Sequence, residues 1–300
     1  MRKLLTFAQV LTVAACGQGG TALDDQRSRS SADQLTVVGT VYALTAIAAE
    51  IAPEAAVELL AAHGQDPHDL ELSPGDRALL QTADVVVFPG DLDFQPQVEA
   101  AVGEATGAVV GVADVVEPDL LLSLDGGAVD PHLWFAAAAM AATAEAIGAA
   151  LARAQPDSAA AHRDAAASVR DELLALDGEL DELLSGCTFD TAIVSHEAYA
   201  YLLEPRGLHQ EGIAGGAGHG GVSPQRLGEL TEHIRSQGVP AVLAEPVEGR
   251  DDAESLAREA GVDLLEIDPL ESARQESTDD FAQLLRTQAE AFATALECDR

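Results

Sequence analysis

Short runs of β-branched and aliphatic residues alternate with helix-forming segments along most of this chain, and that alternation restricts the fold more than any other feature. Residues 35–40 form such a run, closed by Gly39, and a helical stretch follows from about Ala43 to Pro53. Residues 56–60 lead into a loop, 75–82 have the pattern of a helix, 84–88 of a buried strand, 97–106 of a helix and 108–112 of another strand. Strands that alternate with helices in this way predict an α/β fold with a parallel sheet.

The middle of the chain changes character. Residues 134–154 are almost all good helix formers, Pro156 with Asp157 breaks the pattern, and a second helical stretch runs to about Leu184. Within it Val169, Leu173, Leu176, Leu180 and Leu183 recur at spacings of four, three, four and three, with acidic residues between them. That stretch is an amphipathic helix, read as the connection between two halves. Beyond it the alternation resumes: strand 191–194, helix 224–236, strand 241–244, helix 253–260, strand 263–267 and a last helix at 278–295. The expected organisation is an N-terminal α/β domain over 35–155, a linking helix over 156–185 and a C-terminal α/β domain over 186–300. The glycine-rich segment 212–221 reads as a mobile surface loop.

The first residues carry a different message. Arg2 and Lys3 precede an apolar run to Ala15, interrupted by Thr6, Gln9 and Thr12, which has the length of a secretory signal rather than a membrane span. The segment Val13-Ala14-Ala15-Cys16-Gly17 resembles the lipobox of bacterial lipoproteins. That resemblance implies a signal peptide over 1–15, lipidation of Cys16 and a chain anchored outside the cytoplasmic membrane; an ordinary signal with an incidental cysteine is the alternative. Residues 16–34 read as a flexible polar tether. Cys187 and Cys298 then remain for the folded part, and an oxidising compartment permits a disulfide between them, although sequence alone leaves their separation open.

With 16 basic and 51 acidic residues, the formal net charge is -35. Such a surface repels nucleic acid and anionic lipid, so no nucleic-acid partner is expected. Acidity of this kind is usually a solvated surface and does not argue for metal by itself. The histidines do. His68 lies in Asp66-Pro67-His68 and His132 in Asp130-Pro131-His132; in each, proline stiffens the backbone before the ring and the aspartate is suited to orient an imidazole N–H. His196 follows the strand at 191–194 and Asp268 follows the strand at 263–267, so four candidate ligands sit at or beyond strand ends, two from each half. Ligands of open α/β sheets bind outside the carboxyl ends of the strands, which puts the site in a cleft between the domains. Three imidazoles and one carboxylate suit zinc, with manganese as the alternative that prefers more oxygen.

Four segments carry a specific resemblance: Asp66-Pro67-His68-Asp69-Leu70-Glu71-Leu72-Ser73-Pro74-Gly75-Asp76, Asp130-Pro131-His132-Leu133-Trp134, Ser195-His196-Glu197-Ala198-Tyr199-Ala200-Tyr201, and Asp268-Pro269-Leu270. In order and spacing they look like the metal-site motifs of the zinc and manganese solute-binding proteins of ABC importers, cluster A-I. The resemblance covers about residues 35–296. It implies metal ligands at His68, His132, His196 and Asp268, two α/β domains joined by a long helix, and a monomer that hands Zn2+, or Mn2+, to an ABC-transporter permease. Histidine at the third position resembles the zinc branch. Leu70 and Leu72 stand where the family usually has an aromatic residue and a proline, and the histidine-rich acidic loop of many zinc members is missing between Val112 and Asp130.

Other residues receive smaller roles. Asp66, Asp130 and Glu245 are expected to support the ligands, and His219 is a candidate for an auxiliary loop contact. Trp134 and Tyr199 are read as packing in the cleft wall, His162 and His233 as solvent-facing on helices, and His209 as a loop residue. A zinc hydrolase is the competing class, since three histidines and a water form a catalytic zinc site. A fourth protein ligand would remove the open position, and no His-Glu-x-x-His or Gly-x-Ser-x-Gly pattern is present. A metal-binding surface adhesin is a further, compatible reading.

Overall fold

The computed structural model describes residues 34–60, 65, 67–124, 126–214, 222–246, 248–272 and 280–299. The expected signal peptide, Cys16, His63, Asp66 and His219 lie outside these residues, as does the part of the glycine-rich segment from 215 to 221.

The first half runs β1 (Thr36–Gly39), α1 (Tyr42–Ile51), β2 (Ala56–Leu59), α2 (Pro74–Thr82), β3 (Val85–Phe88), α3 (Pro96–Val102), β4 (Ala108–Gly111) and the short α4 (Val112–Val115). Two long helices follow, α5 (Ala137–Ala154) and α6 (Ala159–Leu183). The second half contains β5 (Thr191–Val194), α7 (Ala200–Leu203), β6 (His209–Gly212), α8 (Pro224–Gln237), β7 (Ala241–Ala244), α9 (Arg250–Ala260), β8 (Asp263–Glu266) and α10 (Phe281–Ala295). Each half builds a four-stranded parallel sheet, ordered β2-β1-β3-β4 and β6-β5-β7-β8. The α/β class, its two parallel halves and the long helix between them match the sequence reading.

Local chemistry explains several boundaries. Ser73 starts α2 by accepting the Asp76 N–H at 3.2 Å, while the Asp76 carboxylate accepts the Ser73 N–H at 2.8 Å, and Pro74 occupies the first helical position. Ser223 and Asp280 cap α8 and α10 through the same type of bond. The central strands β3 and β7 are buried along their whole length, as their unbroken apolar runs require.

Among the departures from the sequence reading, three are instructive. His209 does not lie in a loop but opens β6, an edge strand paired with β5 through Thr191 and His209 to Val194 and Gly212. Its sequence, His-Gln-Glu-Gly, has no apolar alternation because only one edge and part of one face are covered. The helix expected from Trp134 begins at Ala137; Leu133–Phe135 form a buried 3-10 turn. His162 is not in solvent: it is buried, with Nε2 3.1 Å from Gln155 Oε1, because α5 and α6 approach closely where Gly148 meets Ala166. His233, by contrast, is largely exposed.

The core is continuous. One buried cluster joins Val37 and Val85 of the first sheet, Ile147 and Leu151 of α5, Leu173 and Leu176 of α6, Val194 and Leu243 of the second sheet, and Phe281 and Phe292 of α10. Two smaller clusters fill the outer faces of the sheets. Leu70 and Leu72, where the resemblance leads one to expect an aromatic residue and a proline, pack into the satellite cluster of the first half.

Cys187 and Cys298 are joined by a disulfide that closes a loop of sequence separation 111. It ties the end of α6 to the end of the chain. In the chain-entropy picture a loop of this length contributes about 5 kcal/mol, an upper figure for what the bridge supplies. Replacing both cysteines with serine is therefore expected to lower the denaturant midpoint of the oxidised protein to that of the reduced one; identical midpoints for all three would show that the bridge stabilises nothing.

Candidate metal centre

The three histidines come from three different turns. His68 lies in a 3-10 turn, Pro67–Asp69, beyond the end of β2. Gln95, buried, donates from Nε2 to the Pro67 and Thr40 carbonyls at 3.3 Å each, tying the turn to the end of β1. Phe94 stands edge-on to the His68 ring at a centroid distance of 4.4 Å. The loop carrying Phe94 and Gln95 wraps on the Glu99 carboxylate, which accepts the Asp93, Phe94 and Gln95 N–H groups at 3.2, 2.9 and 3.1 Å.

His132 is held more tightly. Asp130 Oδ1 lies 2.6 Å from its Nδ1 and also accepts its backbone N–H at 2.9 Å. A proton kept on Nδ1 by the carboxylate leaves the Nε2 lone pair for a ligand. His196 follows β5 by two residues, and its Nδ1 faces Glu245 Oε1 at 3.3 Å and Glu248 Oε2 at 3.6 Å. Glu245 is fixed by the Tyr199 hydroxyl, which donates to it at 2.7 Å, and by its own N–H, which donates to Ser195 Oγ at 3.0 Å.

These turns bring the three rings into a triangle with centroid separations of 5.5, 5.4 and 5.0 Å. Glu271 closes it. Its Oε1 lies 3.3 Å from His132 Nε2 and 3.8 Å from His68 Nε2. One ligand atom from each of His68, His132, His196 and Glu271 falls within 4.8 Å of every other. Among the described residues no hydrogen bond satisfies His132 Nε2 or Glu271 Oε1, although both atoms are buried. Buried polar atoms are costly when left so, and once its Nε2 proton is released His132 offers a lone pair beside the Glu271 oxygen, for which a cation is the natural common partner. A cavity of about 380 Å3 leads from the surface to His68, His132 and His196, with Glu248 and Glu197 on its wall.

Electrostatics favours positive charge at the centre. Burial lowers the His132 pKa, but the Asp130 carboxylate and the facing Glu271 outweigh it and raise it to about 9. For His196 burial is likewise outweighed, by Glu245 first and then Glu271 and Glu248, and the value rises to about 10. Burial would raise Glu271, yet His132, His68 and His196 around it hold it well below the usual carboxylate range. Glu245 is pushed up by burial against the opposing pull of His196.

A family model for ZnuA, the periplasmic component A of a zinc-uptake complex, matches residues 37–295. The chain belongs to the ZnuA family. It is 28% identical over 283 residues to the zinc-binding lipoprotein AdcA of Streptococcus pneumoniae, covering 90% of this chain and 56% of that protein. This chain thus spans little more than half the length of that relative. The high-affinity zinc uptake system protein ZnuA of Bacillus subtilis is 25% identical over 283 residues, with 90% of this chain and 88% of that protein covered. The crystal structure of Zn(II)-bound AdcA from Streptococcus pneumoniae superposes with a TM-score of 0.75 at 26% identity, over 89% of this chain and 58% of that one.

Within this ZnuA-family fold, His68, His132 and His196, the three histidines singled out in the sequence, are brought together. Asp130 and Glu245 support two of them. The carboxylate that joins the rings differs from the expectation: Glu271 does so, whereas Asp268 lies outside the group and its Oδ1 accepts the Leu270 N–H at 2.7 Å. Trp134 and Tyr199 do more than pack, because Trp134 Nε1 donates to the Pro269 carbonyl at 2.7 Å and Tyr199 holds Glu245. Gln95, Phe94, Glu248 and Glu271 escaped the sequence reading. Only Glu271 left a signal, as the next residue after the Asp268-Pro269-Leu270 motif.

Proposed function

We propose that this protein captures Zn2+ outside the cytoplasmic membrane and delivers it to an ABC-type permease, with His68, His132, His196 and Glu271 as the four ligands. The convergence of three imidazoles and one buried carboxylate at a single point carries the reading. Three nitrogen donors and one oxygen donor suit a tetrahedral zinc ion, while manganese favours more oxygen. Four protein ligands complete the coordination sphere and leave no position for an activated water, which favours binding over hydrolysis. A divalent ion with one carboxylate leaves a single positive charge, and Asp130, Glu245 and Glu248 stand close enough to offset it.

Membership of a family described as periplasmic zinc-uptake components supports the cargo, the location and a permease partner. The lipobox-like segment around Cys16 supports anchoring on the outer face of the membrane. All four ligands come from one chain, so a monomer suffices.

Metal-stripped protein titrated with zinc and manganese in competition against a chromophoric chelator tests the cargo. The expected result is one tightly held zinc per chain, with manganese weaker and unable to displace it. Preferential manganese binding, or no stoichiometric zinc, would overturn the assignment.

A further inference from the structure

We propose that Asp268 and Trp134 are positioning residues that aim the Glu271 carboxylate at the three imidazoles by holding Leu270 in a left-handed backbone conformation. This inference rests on the reading of Glu271 as the fourth ligand.

The chain leaves β8 at Glu266, and Ile267 continues the pairing by donating its N–H to the Ala244 carbonyl at 3.0 Å. Every residue from Asp268 to Glu271 is then tied by a hydrogen bond to one of three other parts of the molecule, α10, the turn at Trp134 or the start of α1. The Asp268 N–H donates to Gln288 Oε1 of α10 at 2.8 Å, and Gln288 is itself buried. Trp134 Nε1, from the turn after His132, donates to the Pro269 carbonyl at 2.7 Å. Asp268 Oδ1 accepts the Leu270 N–H at 2.7 Å. At the start of α1, the Ala43 N–H donates to the Leu270 carbonyl at 2.9 Å and the Tyr42 N–H to the Glu271 carbonyl at 2.7 Å.

Between these ties Leu270 has φ 58. A γ-branched, fully buried leucine rarely adopts this region, and such a conformation persists only where the surroundings over-determine it. Here the consequence is directional. The reversal at Leu270 turns the next side chain inward, so that Glu271 Oε1 reaches 3.3 Å from His132 Nε2. Two of the devices that enforce the reversal involve side chains with separable chemistry. The Trp134 indole contributes one N–H, and its ring also stands 5.3 Å from His132, so the same residue touches the second ligand and holds the loop of the fourth. Asp268 contributes one acceptor oxygen to its own turn, which an asparagine side chain also supplies.

The test compares Asp268→Ala, Asp268→Asn, Trp134→Phe and Glu271→Gln. The readouts are zinc affinity by chelator competition, the visible spectrum of the Co2+-loaded protein and the melting temperature of the metal-free protein. Loss of the positioning bond is expected to weaken zinc about 10–100-fold in Asp268→Ala and Trp134→Phe, the range found when groups behind a ligand are removed. Their cobalt spectra should move toward that of Glu271→Gln. Asp268→Asn should recover affinity and spectrum to near those of the parent protein. If Asp268→Ala changes the melting temperature alone, with affinity and cobalt spectrum intact, the positioning role is overturned while Glu271 stands as a ligand. If Glu271→Gln leaves both metal readouts unchanged and Asp268→Asn alters them as strongly as Asp268→Ala, Asp268 is itself the ligand and the underlying reading fails as well. Should Trp134→Phe fold poorly, the two Asp268 variants decide the matter alone.

Discussion

Replacing His132 with alanine is expected to lower zinc affinity by more than about a hundredfold, since removal of groups behind a ligand already costs about 10–100-fold. The orientation of the His132 ring is fixed from several sides. Asp130 holds both its Nδ1 and its backbone N–H, Trp134 packs against one side, and Nε2 faces Glu271. Little conformational freedom is therefore lost when it binds the ion, and all of its donor strength is realised. The substitution also leaves two buried carboxylates, Asp130 and Glu271, without the ring that separates and neutralises them. Chelator competition measures the loss, with circular dichroism as a check on folding. An affinity within threefold of the parent would remove His132 from the coordination sphere. His196→Ala should behave similarly, with Glu245 and Glu248 left behind.

Zinc affinity is also expected to climb steeply with pH and to go on climbing well above neutrality. Coordination needs a deprotonated imidazole, and free histidine would place the transition near 6.5. The folded site moves it upward, because His132 is raised to about 9 and His196 to about 10 in the metal-free protein. At pH 7 the ion must displace about two protons, so the logarithm of the apparent association constant should rise by about two per pH unit. Calorimetry in buffers of different ionisation enthalpy counts the protons directly; release of none at pH 7 would contradict the site described. The same shifts act oppositely on the metal-free fold. Raised histidine values contribute stability that is fully present below 6.5 and lost as pH rises through 9 and 10. Glu271, held low, contributes stability that is present above its unfolded value of 4.5 and lost as pH falls toward its depressed folded value. Alkaline conditions thus weaken the empty protein while strengthening its hold on the ion.

Much of this architecture is legible in the residue order. Buried parallel strands announce themselves as apolar runs, and Val85–Phe88 and Ala241–Ala244 are the clearest cases. Polar β6 stays hidden because pairing along one edge of β5, rather than burial, makes it a strand. His162 reads as a surface residue because Arg163 and Asp164 follow it, whereas its burial comes from the close contact of α5 with α6 at Gly148, a fact of tertiary packing. At the candidate metal centre the doubled Asp-Pro-His points to two of the three converging rings, and in the second copy Asp130 holds the ring that follows it. The carboxylate is harder. Counting from the end of β8 selects Asp268, the first acidic residue beyond Ile267, and no periodicity reports that the chain reverses at Leu270. Long-range hydrogen bonds from Trp134, Tyr42 and Ala43 set that reversal, and they join residues more than 130 positions apart.

The unbroken apolar core through both sheets, α5, α6 and α10 has a mechanical consequence. A receptor whose halves swing apart like jaws must part a wet interface; here the same motion would have to part a shared apolar core, and interiors packed at crystal-like density resist such shear. Under the proposed function, uptake and surrender of an ion would then be paid for locally, in the turns that bear the three histidines and Glu271, and the exchange rate would be a property of a few loops rather than of the whole body. In the proposed role of a carrier that binds tightly and still lets go, this would divide the labour: the frame would keep the shape that a docking partner grips, and four short turns would set the residence time of the cargo.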